Sequence, residues 1–133
     1  MCSTRFGTVE IRVCDGQTRV EHTVALAALI QVLVKELCEH FDAGVELAEY
    51  PFQMLDENKW LAARYGLDAD LVDLPGAERI TARDLAARLL TRLAPHAEEL
   101  GSTDQLAGID DLLARGTGSA RQLLVYEDRK SVV

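Results

Sequence analysis

Apolar and polar positions alternate from Thr8 to Asp15, with Val9, Ile11 and Val13 on one side and Glu10, Arg12 and Cys14 on the other. Successive side chains of a strand point to opposite faces, so the run predicts a β-strand with a core face and a polar face. The period then changes. Thr18-Arg19-Val20-Glu21 has the form of a capping box, with Thr18 as N-cap and Glu21 at N3. It predicts a helix to about Asp42, terminated at Gly44. Between Val24 and Leu37 this helix is apolar nearly all round, as expected of the core helix of something sizeable. No clear sheet partner for the first strand follows it in the 133 residues.

Further along, Leu55 to Tyr65 reads as a short helix stopped by Gly66, and Leu67 to Leu74 as an extended stretch turning at Pro75-Gly76. Thr81-Ala82-Arg83-Asp84 is a second start signal, with Asp84 in the capping-box position. The helix it opens carries Leu85, Leu89, Leu90 and Leu93 as an apolar stripe and ends around Leu100-Gly101, with Pro95 expected to kink or interrupt it. Ser102 is a candidate cap for a helix from Thr103 to Arg115, closed by Gly116. Gly116-Thr117-Gly118-Ser119 then leads into a last helical piece, Ala120 to about Glu127. There is no internal repeat. The pattern as a whole predicts an α+β chain, mostly helical, with one N-terminal strand.

Composition narrows the partners. The chain is one domain's worth, 48% hydrophobic and 27% charged, with a net charge of -8. That balance repels phosphate backbones and anionic lipid at long range, so neither nucleic acid nor membrane is expected as a partner. Three widely spaced cysteines form no C-x-x-C and signal neither a disulfide framework nor a zinc site. Met1-Cys2-Ser3-Thr4-Arg5 has no apolar h-region, and the run from Val24 to Val34 is too short to span a bilayer. A cytoplasmic location with reduced thiols is the expectation.

Glu10 and Arg12 are the residues with most chemical promise. They stand two apart on one strand face, about 7 Å along it. A carboxylate can hold a divalent cation and a guanidinium can grip phosphate or carboxylate oxygens. The ordinary role of such a pair is a solvated ion pair of small worth. On the face of an interior sheet, however, charges need a ligand or a partner. His22, His40 and His96 lie far apart and suggest surface or cap roles. Cys14 reads as a small packing residue, and Trp60 and Tyr65 as core anchors. Gly116-Thr117-Gly118-Ser119 lacks the lysine of a phosphate loop and reads first as a helix-to-helix turn.

Several of these segments together resemble the carboxylate-amine ligases, also called type 2 glutamate-cysteine ligases. The matching segments are Thr8-Val9-Glu10-Ile11-Arg12-Val13-Cys14-Asp15 with Gln17-Thr18-Arg19-Val20 and Thr23 to Ile30. Glu57-Asn58-Lys59-Trp60 with Ala62-Ala63-Arg64-Tyr65-Gly66-Leu67 follows, then Ala82-Arg83-Asp84-Leu85 and Leu113 to Gly118 with Arg121-Gln122. The resemblance implies the C-terminal part of a glutamine synthetase-like catalytic domain, in which the N-terminal strand is an active-site strand. It implies use of ATP and Mg2+ to join a carboxylate, through an acyl phosphate, to an amine, with glutamate and cysteine as substrates. Carried onto this chain, Glu10 becomes a metal ligand and Arg12 the catalytic charge stabiliser.

The family's members are much longer, which implies that the partner of this chain is a missing N-terminal catalytic half; the complete enzyme has room for a homodimer. Residues 1–127 then form the C-terminal portion of such a domain, and 128–133 resemble a non-native tail. Two alternatives from other classes are a non-catalytic helical interaction module and the small subunit of a split ligase.

Overall fold

The computed structural model describes the backbone of residues 2–3 and 7–130 and the side chains of 7–130. It is a mostly helical α+β arrangement with two small antiparallel sheets. The first sheet pairs β1 (Cys2–Ser3) with β2 (Thr8–Val9), Cys2 opposite Val9 and Ser3 opposite Thr8. The strand expected to lack a partner therefore has one, and it precedes the strand in the chain. The ladder ends at Val9, and residues 10–17 carry no regular structure. Val9, Ile11 and Val13 are 60%, 44% and 88% exposed, so the expected core face is uncovered. Alternation defines a face; burying it takes a second layer, and no described element supplies one.

Helix α1 (Val20–Asp42) starts two residues after the expected cap. The capping box does not form: Arg19 is the N-cap without a side-chain bond. Thr18 Oγ1 instead accepts from Arg121 Nη2 at 3.0 Å, and Glu21 pairs with Arg19 at 3.5 Å. The helix ends as expected, with Gly44 at φ +66° and its N–H on the Phe41 carbonyl. Only the stripe His22, Ala25, Ala28, Val32 and Glu36, spaced three, three, four and four, is buried.

α2 (Phe52–Tyr65) begins three residues before the apolar pattern suggested, with Pro51 in the N-cap position. Gly66 at φ +59° ends it, followed by a single 3-10 turn, Gly66–Asp68. The extended stretch beyond it proves to be half of a hairpin, which corrects the expectation of one strand. β3 (Asp70–Asp73) pairs with β4 (Glu78–Thr81), with Leu71 opposite Ile80 and both buried. Asn58 of α2 clamps the hairpin: its Oδ1 accepts from the Val72 N–H at 2.9 Å and its Nδ2 donates to the Val72 carbonyl at 2.8 Å.

α3 (Ala82–Glu99) opens as predicted, with Thr81 Oγ1 accepting from the Asp84 N–H at 3.1 Å. It runs through Pro95 without interruption. Leu93 and Ala97, on either side of the proline, are fully buried, and that packing outweighs the one lost hydrogen bond. The helix expected from Thr103 to Arg115 is two, α4 (Thr103–Leu106) and α5 (Gly108–Arg115), with Ser102 making no side-chain cap bond. α6 (Gly118–Lys130) starts two residues early and continues past the expected boundary at 127. Residues 131–133 of the expected tail lie outside the described residues.

The core sits where α1 crosses α3, α4 and α5, built on Ala25, Val32, Leu93, Ala97, Leu106 and Ile109. Small residues set the spacing. A methyl group added at Gly108 would lie 2.9 Å from the Ala25 Cβ, so α5 and α1 touch backbone to side chain. Each buried Leu, Ile or Val contributes about 1.5–3 kcal/mol. No helix among the described residues is long and apolar enough to cross a membrane.

Candidate functional site

Glu10 and Arg12 follow β2 directly, on the segment that has left the ladder. Arg12 grips Glu10 with two bonds, Nη2 to Oε2 at 2.9 Å and Nε to Oε1 at 2.8 Å. Both side chains are more than half exposed. The strand periodicity thus put the two charged groups together, as expected, but against each other and in water. The bidentate geometry makes this one of the stronger kinds of ion pair, while its exposure to water limits what it contributes. Glu10 offers a hard oxygen donor suited to magnesium. Among the described residues no three histidine, cysteine, aspartate or glutamate side chains converge as a metal site. Glu10 can accordingly supply one ligand of a metal set, not the set.

A cleft of about 620 Å³ lies beside this segment. Its walls gather residues that are far apart in the chain: Cys14, Asp15 and Gln17 from the N-terminal segment, Arg64 and Tyr65 from the end of α2, and Thr117 to Ala120 from the start of α6. The local structure explains the convergence. Gly66 ends α2 in a conformation that brings the turn after α5 close, so that a methyl group at Gly66 would meet Thr117 Cγ2 at 3.9 Å. Gly116, at φ +80°, ends α5, and Thr117 Oγ1 accepts from the Ala120 N–H at 3.2 Å, opening α6. The glycine-rich tetrapeptide is the helix-to-helix turn it was expected to be. Arg121 ties α6 to the loop before α1 through Thr18. Arg64 and Asp15 place one cation and one anion at the rim, beside the apolar Leu26, Leu112 and Leu123.

Other candidates fall differently. His22, expected at the surface or a cap, is 1% exposed, with Nε2 at 3.1 Å from Asp111 Oδ2. Arg115 Nε holds the other Asp111 oxygen at 2.6 Å. These bonds, Arg115's first and then His22's, keep the Asp111 carboxyl below its ordinary range. Sequence reasoning missed this cluster because Asp111 is 89 residues from His22. A polar residue on the buried stripe of an amphipathic helix, three before Ala25, was the available signal. Lys35 bridges Glu39 and, at 2.7 Å, Glu99; hydrogen bonding to Glu39 and then to Glu99 raises its pKa. Glu36, 6% exposed at its side chain, meets Arg92 at 2.9 Å. Cys14 and Cys38 are exposed free thiols, so Cys14 is not the packing residue expected. Trp60 and Tyr65 stack edge to face at 6.2 Å and are 60% and 53% exposed, so neither anchors the core.

The model of glutamate-cysteine ligase family 2 matches residues 1–132 of this chain. Curated relatives bear the name "putative glutamate-cysteine ligase 2". The one from Sorangium cellulosum is 41% identical over 126 residues, 95% of this chain and 34% of that protein. The one from Mycobacterium tuberculosis is 43% identical over 126 residues, 94% of this chain and 33% of its own length. A relative from Rubrobacter xylanophilus, numbered 2-1, is 42% identical over 123 residues, 92% of this chain and 32% of its own. The chain thus spans about a third of the length of the curated relatives it matches.

Proposed function

The chain belongs to glutamate-cysteine ligase family 2, and from that premise we propose that it is one part of an ATP-dependent ligase joining the carboxylate of glutamate to an amine such as cysteine. The observation that carries this reading is the match over residues 1–132 together with a carboxylate and a guanidinium placed side by side at Glu10 and Arg12. In this reading the chain forms the C-terminal part of a glutamine synthetase-like catalytic domain. ATP supplies the phosphoryl group that activates the carboxylate as an acyl phosphate, with ADP as the leaving group. Glu10 would give one oxygen ligand to a magnesium ion, which would neutralise phosphate charge. Arg12, released from Glu10, stabilises negative charge on the group being transferred. The amine then attacks the acyl carbon, expelling inorganic phosphate and losing a proton, a step that needs orientation more than further activation. An interaction module without catalysis would leave the pair without a role.

The test is a chimera in which this chain replaces the matched 126 residues of the Sorangium cellulosum relative. We expect amine-dependent release of ADP from magnesium-ATP and glutamate. Glu10→Gln should abolish it, because an amide is a poorer ligand than a carboxylate for a hard cation. Arg12→Lys should lower the rate at least ~30-fold, as expected from losing one preorganised electrostatic contact. A folded chimera that ligates normally with Glu10→Gln would remove the metal-ligand assignment. One that releases no ADP with any amine would remove the ligase reading.

A further inference from the structure

Arg64 stands apart from most arginines of this chain. In a sequence with 22 acidic and 14 basic residues, Arg88, Arg92 and Arg115 all hold carboxylates. Arg64 forms no ion pair or hydrogen bond among the described residues. It lines the cleft of about 620 Å³ at the end of α2, where Asp15 is the one other charged residue among the described residues of the wall. Two opposite charges thus line one space without pairing, and a gap is held open between them. Asp15 Oδ1 accepts from the Gly16 N–H at 2.8 Å, which leaves the second carboxylate oxygen without a partner. Much of the remaining wall is apolar, with Val13, Leu26, Leu112 and Leu123. Gly118 and Ser119 also line the cleft, and their N–H groups, on the first turn of α6, have no backbone acceptor among the described residues.

We propose that this cleft binds a zwitterionic α-amino acid with an uncharged, apolar side chain. The guanidinium of Arg64 takes the carboxylate, a pairing for which its planar fork is suited. Asp15 takes the ammonium group, and the leucines and Val13 take the side chain. A ligand of one sign, such as a phosphate, would satisfy one of the two charges and meet repulsion from the other. A second carboxylate on the side chain would find no second cation on the wall. The volume lies within the range of about 300–1,000 Å³ typical of small-molecule sites, which are mostly apolar with a few placed polar groups. Arg64 and Asp15 are both exposed, so a ligand reaches them without a change of conformation. Neither Glu10 nor Arg12 lines the cleft, and the binding does not rest on the ligase reading.

The experiment titrates the 133-residue chain with L-leucine, without ATP, by calorimetry and by NMR with the amides of Gly118 and Ser119 as local reporters. We expect saturable one-to-one binding, weakened at least ~10-fold in Arg64→Gln and in Asp15→Asn, the size of one charge-assisted hydrogen bond. Lys59→Gln removes the same charge from an exposed site on α2 outside the cleft and should bind leucine as the parent does. Circular dichroism and thermal melts confirm that all three variants fold. Two analogues assign the charges on the parent chain itself. L-Leucinamide lacks the carboxylate, so it should bind weakly and be indifferent to Arg64→Gln; N-acetyl-L-leucine lacks the ammonium and should be indifferent to Asp15→Asn. L-Glutamate should bind at least ~10-fold more weakly than leucine, because its extra carboxylate is left without a partner.

No saturable binding of leucine would overturn the proposal. So would leucine binding that survives Arg64→Gln and Asp15→Asn, that falls equally in Lys59→Gln, or that glutamate matches. In the chimera described above, leucine that is itself ligated marks the ligand as the amine substrate, and leucine that alters the rate without being consumed marks it as an effector; Arg64→Gln should remove either effect. A chimera that releases no ADP, while this chain still binds leucine through Arg64, would defeat the ligase reading and leave the cleft assigned.

Discussion

Gly108→Ala probes a close contact between two helices. Gly108 opens α5, and an added Cβ would sit 2.9 Å from the Cβ of Ala25, which is fully buried on α1. Two carbons in comfortable contact stand about 3.5–4.0 Å apart, so the helices must separate by roughly 0.6–1.1 Å. Separation of that size forfeits about a quarter to a half of the dispersion energy at each neighbouring contact. The neighbours are core residues: Ile109 and Leu106 pack with Ala25 and Val32 in one cluster. Overpacking of this kind costs about 1–3 kcal/mol. Alanine returns part of that through better helix propensity, at most ~1 kcal/mol and less at a first helical residue. The expected net loss is about 1–2 kcal/mol, or a fall of roughly 3–7 °C in Tm.

Urea unfolding with an unchanged m value is the assay, since the effect lies in the folded state. Two companions isolate the cause. Gly118→Ala, where a Cβ meets nothing within 4 Å, should be neutral or stabilising by up to ~1 kcal/mol. Ala25→Gly combined with Gly108→Ala should recover stability relative to the sum of the single changes. A Gly108→Ala protein as stable as the parent, or a double variant that simply adds, would refute the account of α1 and α5 as a contact set by missing side-chain atoms.

Asn58→Asp should destabilise by about 1–3 kcal/mol, because a carboxylate still accepts from the Val72 N–H but repels the Val72 carbonyl that Nδ2 now meets; chemical denaturation checks it, and parity with Asn58→Ala would show that only the lost bonds matter. Arg92→Met should cost about 1–3 kcal/mol, below the usual figure for a broken buried pair because Arg92 is 56% exposed, and adding Glu36→Leu should restore most of it since no buried charge then remains; a double variant weaker than either single change would count against this. The Asp111 carboxyl is depressed by its bonds to Arg115 and His22, so its contribution is fully present above the unfolded-state pKa near ~4 and is lost as pH falls through the lower folded value. Acid unfolding of Asp111→Asn should therefore show a flatter dependence on pH below about 4 than the parent, and identical profiles would exclude this linkage.

What the sequence made legible was local. Thr81 and Asp84 lie three residues apart and form the cap they spell. Gly44, Gly66, Gly101 and Gly116 all take positive φ at helix ends, where a residue without a Cβ is needed. The equally good box at Thr18 and Glu21 failed because a residue 103 positions away, Arg121, competes for the Thr18 hydroxyl. The hairpin was hidden because β3 and β4 are mostly polar, with one buried cross-strand pair and a side-chain clamp from α2 in place of further strands. At the candidate site, alternation correctly put Glu10 beside Arg12 but could not say that they would pair with each other. The cleft between Asp15, Arg64 and Thr117 needed three chain segments to be brought together, and no short-range signal carries that information.

The helix that reads as apolar all round is the link between these outcomes. Its sequence is that of a helix covered on every side, and the structure covers one stripe. The uncovered stripe faces the same N-terminal segment whose other residues are Glu10 and Arg12. An exposed ion pair contributes ~0–1 kcal/mol, so the pair by itself cannot hold that segment in one conformation. Burial of Val9, Ile11 and Val13 could, at about 1.5–3 kcal/mol for each side chain fully covered. The apolar side of the segment is therefore the one able to supply rigidity, and the charged side carries the chemistry of the proposed function. Perturbing that apolar side should then disorder the Glu10–Arg12 pair without touching either residue.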